Sequence, residues 1–191
     1  MASFLITTDA MADLPESYVA DKQLRILSMT EASHSDDATL YLQMKDGYKP
    51  ATSAASPAAI RDFFEDALEE NKHLLHICFS SALSSLYNNC CLVAKEIISE
   101  RPDVIIEVVD SLGASLGEGL LVHLALQQQT WGLSLTETKI WIERNKLNIQ
   151  HLFIVDDLHY LQQGGRISRT EKVIGQEACR RRWARLRKNA A

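Results

Sequence analysis

The 191-residue chain predicts an α/β protein. The expected form is an open, mostly parallel sheet flanked by helices, followed by only the start of a second α/β domain. Two observations carry this. Apolar runs of strand length alternate with longer segments whose apolar residues recur at helical spacing, the pattern of βαβ units. One of those runs, "LLHICF" (74–79), is apolar almost without a break, as a strand covered on both faces must be.

Taken in order, "FLITT" (4–8) is a short β-branched run that stops at Asp9, and "DLPESYVADK" follows with a proline placed for a first helical turn. "LRILSM" (24–29) is a second strand. From Thr30 to Ala55 the chain is polar and irregular, with a helical turn or two around "ATLYLQMKDG". Ser56 is set to cap a helix that opens with Pro57 and carries Ile60, Phe63, Phe64, Ala67 and Leu68 on one face. Its acidic residues Glu65, Asp66, Glu69 and Glu70 read as a solvated face.

After "LLHICF" comes the serine-rich turn "SSALSS", then a helix with Leu83, Leu86, Cys90, Val93, Ala94 and Ile97 in register. "DVIIEVV" (103–109) is a further strand. It leads into the long helical stretch "LGASLGEGLLVHLALQQQ", where Gly113, Gly117 and Gly119 permit close packing near the start. Another helix covers about 134–147, and "HLFIV" (151–155) is the last clear strand. The boundaries expected are 1–155 for the first domain, 156–175 for the start of an incomplete second one, and 176–191 for a basic tail. In "LHYLQQGGRIS", Gly164 and Gly165 mark a helix stop and turn.

Composition narrows the function. The net charge of −5 divides into a body of −10 and a tail of +5, the tail holding five arginines and one lysine against one glutamate. An acidic body with one aromatic in its basic tail argues against nucleic acid. No apolar run approaches the ~20 residues of a membrane span, and aspartate interrupts the start before a leader could form, so the expected compartment is the cytoplasm. Cys78, Cys90, Cys91 and Cys179 show no CxxC spacing and read as free thiols. No metal site or cofactor is expected. His76, inside an apolar strand, reads as a satisfied interior residue.

Polar residues collect where strands end: Asp9, then Ser80 and Ser81, Asp110 and Ser111, Asp156 and Asp157. In a parallel sheet these ends share one edge, where ligands bind. Helix capping explains each of them singly. Three segments nevertheless converge in chemistry. Thr52 and Ser53 precede one helix, Ser84 and Ser85 join Ser80 and Ser81 before the next, and Arg166 follows the glycine pair. Hydroxyls, helix-start amides and a guanidinium suit an anion, either phosphate or carboxylate. "GASLGEG" has the wrong spacing for a nucleotide cradle.

"ITTDAMADLP", "TSAASP", "SSALSSLY", "VVDSLGASLGEGLLV" and "VDDLHYLQQGGRIS" together resemble, in order and spacing, the DegV family over about residues 3–175. The resemblance implies a two-domain α/β protein that binds one long-chain fatty acid and presents it to a separate fatty acid kinase for phospholipid synthesis, without being the catalyst. It assigns Thr52 and Ser84 to the carboxylate and Arg166 to a position near it. Asp9 and Asp110, read from the residues alone, are supports that order the serine loops by accepting backbone hydrogen bonds.

The chain departs from the family pattern at Ala10 and Met11, where hydroxyl residues are usual, and at Ser85, where glycine is. After "VIG" it leaves the pattern, which implies a chain truncated within the second domain, with lipid binding impaired. Two other readings follow: a family remnant with no useful lipid binding, and a serine-dependent acyl hydrolase. The hydrolase is disfavoured because no GxSxG elbow is present.

Overall fold

A computed structural model describes residues 4–28, 42, 54–151, 158–165 and 167–170. Two compact units divide the chain, 1–151 and 152–191. The expected turns around "ATLYLQMKDG", nearly all of the "HLFIV" strand, Thr52, Ser53, Asp156, Asp157, Arg166 and the basic tail lie outside the described residues.

In the first unit, strand β1 (Leu5–Asp9) passes through a 3₁₀ turn (Ala10–Ala12) into helix α1 (Glu16–Lys22) and strand β2 (Arg25–Leu27). Helix α2 (Pro57–Glu70), strand β3 (His73–Cys78), helix α3 (Leu86–Glu100), strand β4 (Ile105–Asp110), helix α4 (Leu116–Thr130) and helix α5 (Leu135–Asn145) follow. The four strands form one parallel sheet in the order β2-β1-β3-β4. In the second unit the described helix is α6 (His159–Gln163), after which Gly165 turns the chain at φ +74°.

Alternation along the strands sorts two cores. Leu5, Leu74, Cys78, Ile106 and Val108 belong to a cluster with Ile60 and Phe64 of α2 and Leu86, Cys90 and Ile97 of α3. Ile6, Leu75, Ile77 and Val109 pack with Leu121, Val122 and Ala125 of α4, Ile142 of α5, and Tyr18 and Val19 of α1. Both faces of β3 are therefore dry, which is why its sequence shows no polar alternation.

Local chemistry sets the helix ends. Ser56 Oγ accepts the Ala59 N–H at 3.2 Å and Pro57 opens α2. Ser134 and Glu137 close a reciprocal capping box at the start of α5. Leu83, placed by periodicity in the α3 stripe, lies instead in the turn before the helix and is exposed.

The acidic face of α2 is solvent-exposed, as expected, and it also carries ion pairs. Asp66 and Glu70 both bind Arg25 of β2, and Arg61 bridges Glu65 of its own helix to Glu96 and Glu100 of α3. Position, rather than composition, makes these carboxylates partners.

Gly119 and Gly117 set the approach of α4. A Cβ on Gly119 would stand 2.7 Å from the Ala12 carbonyl oxygen, and one on Gly117 would stand 2.0 Å from the His151 ring.

Candidate functional site

The sheet order puts its reversal between β1 and β3, since the chain winds outward to β2 on one side and to β4 on the other. At such a point the loops after neighbouring strands leave on opposite faces and open a crevice. Asp9 ends β1 and spans it. Its Oδ1 accepts the Met11 N–H at 2.9 Å and its Oδ2 the Phe79 N–H at 2.8 Å. Asp110 does the same one strand further on, its Oδ1 accepting from Ser81 at 3.1 Å and Leu112 at 3.0 Å.

Backbone bonds complete the edge. Ser80 N–H reaches the Gly113 carbonyl at 3.0 Å, Ser111 N–H the Cys78 carbonyl at 3.0 Å, and Ser115 N–H the Met11 carbonyl at 2.8 Å. Leu112 and Ser115 sit at φ +52°, an unfavourable backbone for residues with a Cβ, and these bonds hold them there.

The strand-end serines then divide. Ser80 and Ser111 are buried and turn inward: Ser80 Oγ accepts from Ala82 at 3.3 Å, and Ser111 Oγ exchanges bonds with the Gly113 backbone. Ser81 and Ser85 are exposed and Ser84 is half-buried, its Oγ accepting the Leu86 N–H at 3.2 Å. Ser85 lies at φ −77°, ψ −2°, an ordinary helical conformation, so its Cβ is accommodated by the backbone. Beside these hydroxyls the same loops expose Leu83, Leu112 and Leu116. The edge thus sets exposed and half-buried hydroxyls against apolar surface, the two properties an amphiphilic anion needs. Thr52, Ser53 and Arg166 lie outside the described residues.

Two buried groups escaped sequence reasoning. Glu118, on the first turn of α4, is completely buried behind Asp9, and burial followed by the Asp9 charge pushes its carboxyl up to about 9. Thr8 Oγ1 lies 3.0 Å from Glu118 Oε1 and donates to the Ile77 carbonyl at 2.8 Å. One hydroxyl has one proton, so the neutral Glu118 donates to Thr8 and Thr8 to Ile77. A glutamate in the middle of "GEGLLV", between small and apolar residues, was the available signal.

The second group is His76, which is only half satisfied. Nδ1 lies 2.9 Å from Thr7 Oγ1, while Nε2 has no hydrogen-bond partner among the described residues. Two thiols stand beside it: Nε2 or Nδ1 and the Cys78 and Cys90 sulfurs all lie within 4.8 Å of one another. His-x-Cys on one strand face was the legible half of this cluster. Cys90 comes from a helix 12 residues further on and is joined to it only by the fold.

Comparison with known proteins gives the setting. The sequence profile of the DegV family, described as uncharacterised proteins, matches residues 3–178. A DegV domain-containing protein of Clostridium perfringens is 37% identical over 186 residues, covering 92% of this chain and 64% of the relative. One from Lactococcus lactis is 33% identical over 184 residues, with 91% and 64% covered. The chain therefore spans just under two thirds of the length of these curated relatives.

Among solved structures, a DegV family protein from Thermus thermophilus, described for its fatty acid binding, matches with a TM-score of 0.77 at 27% identity, over 90% of this chain and 63% of that one. A fatty acid binding DegV family protein from Streptococcus agalactiae also gives 0.77, over 92% and 65%, at 24% identity, where the likeness is one of fold.

Proposed function

The chain belongs to the DegV family, and we propose that it binds a long-chain fatty acid at the carboxyl edge of its sheet and presents it to a separate fatty acid kinase. In this reading Thr52 and Ser84 donate to the carboxylate, Ser53 and Ser85 flank them, and Arg166 supplies the positive charge. Asp9, Ser80, Ser81, Asp110 and Ser111 fix the loops. The protein works as a carrier in the cytoplasm and leaves the chemistry to the kinase.

The observation that carries the proposal is the pairing, on loops joined by hydrogen bonds, of the half-buried Ser84 hydroxyl with exposed Leu83 and Leu112. Hydroxyls suit a carboxylate because it accepts several hydrogen bonds without a full set of buried countercharges. The remainder of the affinity is apolar, about 0.8 kcal/mol for each methylene removed from water. The fatty acid binding described for the relative from Thermus thermophilus supports the same ligand class.

Lipid extraction of the purified chain, followed by mass spectrometry, tests this. Near-equimolar fatty acid, or uptake of added palmitate or oleate to one equivalent, is the expected result. A chain that arrives lipid-free and takes up neither would overturn the proposal.

A further inference from the structure

Behind the edge, on the side of the sheet covered by α2 and α3, stands the half-satisfied His76 with Cys78 and Cys90, all three fully buried. From the ligand atoms of this cluster, we infer that His76, Cys78 and Cys90 form a binding site for one thiophilic metal ion of low coordination number, with cuprous copper the best match.

The geometry comes from two elements. His76 and Cys78 are two apart on β3 and project from the same face, while Cys90 reaches them from the core side of α3. An ion held at about 2.0–2.3 Å by imidazole nitrogen and thiolate sulfur separates its ligand atoms by roughly 3.5–4 Å. The three donor atoms here lie within 4.8 Å of one another, so closure asks for small side-chain movements.

Thr7 supports the assignment. A hydroxyl 2.9 Å from Nδ1 fixes the ring plane, and an Nδ1–H donated to it leaves the Nε2 lone pair bare, the arrangement usual for a ligating histidine. Phe64 and Phe63 meet the imidazole in T-shaped contacts at centroid distances of 5.3 and 6.0 Å and wall the site.

Donor type selects the ion. Two sulfurs and one imidazole are soft to intermediate ligands and exclude magnesium and calcium. Structural zinc is almost always four-coordinate, and among the described residues the cluster supplies three donors. A cuprous ion accepts three. Binding replaces the two thiol protons, which pass to solvent, and changes no oxidation state.

The experiment uses the C91S/C179S chain, in which Cys78 and Cys90 are the only thiols. It is refolded anaerobically with reductant and one equivalent of cuprous ion, then challenged with the chelator bicinchoninate. Expected is one copper retained per chain with thiolate-to-copper absorption in the ultraviolet, and retention at least ten-fold weaker after C90S, C78S or H76F.

Thermal melts of the unaltered chain with and without copper provide a readout that needs no variant, and the loaded chain should melt higher. No retained copper and no upward shift, or retention indifferent to all three substitutions, overturns the site. Retention of zinc in preference to copper overturns the choice of ion.

Discussion

The hydroxyl of Thr8 stands between two oxygens, 3.0 Å from Glu118 Oε1 and 2.8 Å from the Ile77 carbonyl, and its single proton forces Glu118 to supply the other bond. The buried glutamate is thus a donor, held neutral where an ordinary carboxyl ionises at 4.5.

This carries a pH dependence with a defined sign. The folded chain holds the Glu118 proton up to about 9, whereas the unfolded chain releases it near 4.5. The stabilisation is complete below the lower value and is lost as pH rises towards the higher, with a slope approaching ~1.4 kcal/mol per pH unit. E118Q keeps a donor and cannot ionise, so its stability should fall less steeply from pH 5 to pH 8.5. Urea denaturation at several pH values checks this, and parallel curves for the two proteins would refute it.

Asp9 holds two loops with two oxygens. In D9N one oxygen becomes an NH₂ facing a backbone N–H, and the expected loss is about 2–3 kcal/mol. Amide hydrogen exchange should localise the opening to Met11 and Phe79. Unchanged protection at both would show that the carboxylate does not tie the edge.

Ser84 separates ligand affinity from stability. Its Oγ accepts one N–H at the start of α3, so S84A should cost about 0.5–1 kcal/mol in stability. If the hydroxyl also donates to a carboxylate, palmitate affinity should drop about ten-fold, the worth of one hydrogen bond to a charged group. Titration of palmitate into both proteins decides, and equal affinity would remove Ser84 from the site.

Gly119 is fixed by the backbone of the turn after β1. G119A places a methyl 2.7 Å from the Ala12 carbonyl oxygen, so α4 must shift, at a cost of about 1–3 kcal/mol. A helix-favouring substitution that lowers the melting temperature is the expected outcome; a rise would mean that the turn yields freely.

Arg25 joins edge strand β2 to α2 through Asp66 and Glu70. Because the carboxylates are exposed, R25M should cost no more than about 1 kcal/mol, and 0.5 M salt should shrink the difference. A deficit that persists in salt would assign the effect to packing of the arginine stem.

Periodicity made the four strands from Leu5 to Asp110 and the helices between them legible, because each is covered in a way its apolar spacing records. The edge was legible as well: polar residues at consecutive strand ends are adjacent in any parallel sheet. What sequence left unresolved is which of those residues stay exposed at the edge and which are buried. Ser80 and Ser84 look alike on paper, yet one is closed inward and the other half-open, a difference settled by the hydrogen bond from Ser80 to Gly113, 33 positions away. Glu118 and the His76 cluster were hidden for a similar reason. Their chemistry depends on partners in distant segments, Thr8 for the first and Cys90 for the second.

The parallel pairing of β1 with β3 also bears on how the chain folds as it is made. β1 precedes the other described strands in the chain but lies in the middle of the sheet, and its pairing with β3 joins residues such as Leu5 and Leu74. Until β3 has emerged, β1 has β2 as its only described strand partner and one open flank, a segment that binding factors on nascent chains can recognise. Such distant pairing slows nucleation. Translation speed between the codons for Leu27 and Leu74 should therefore influence the yield of folded protein more than speed elsewhere in the first unit.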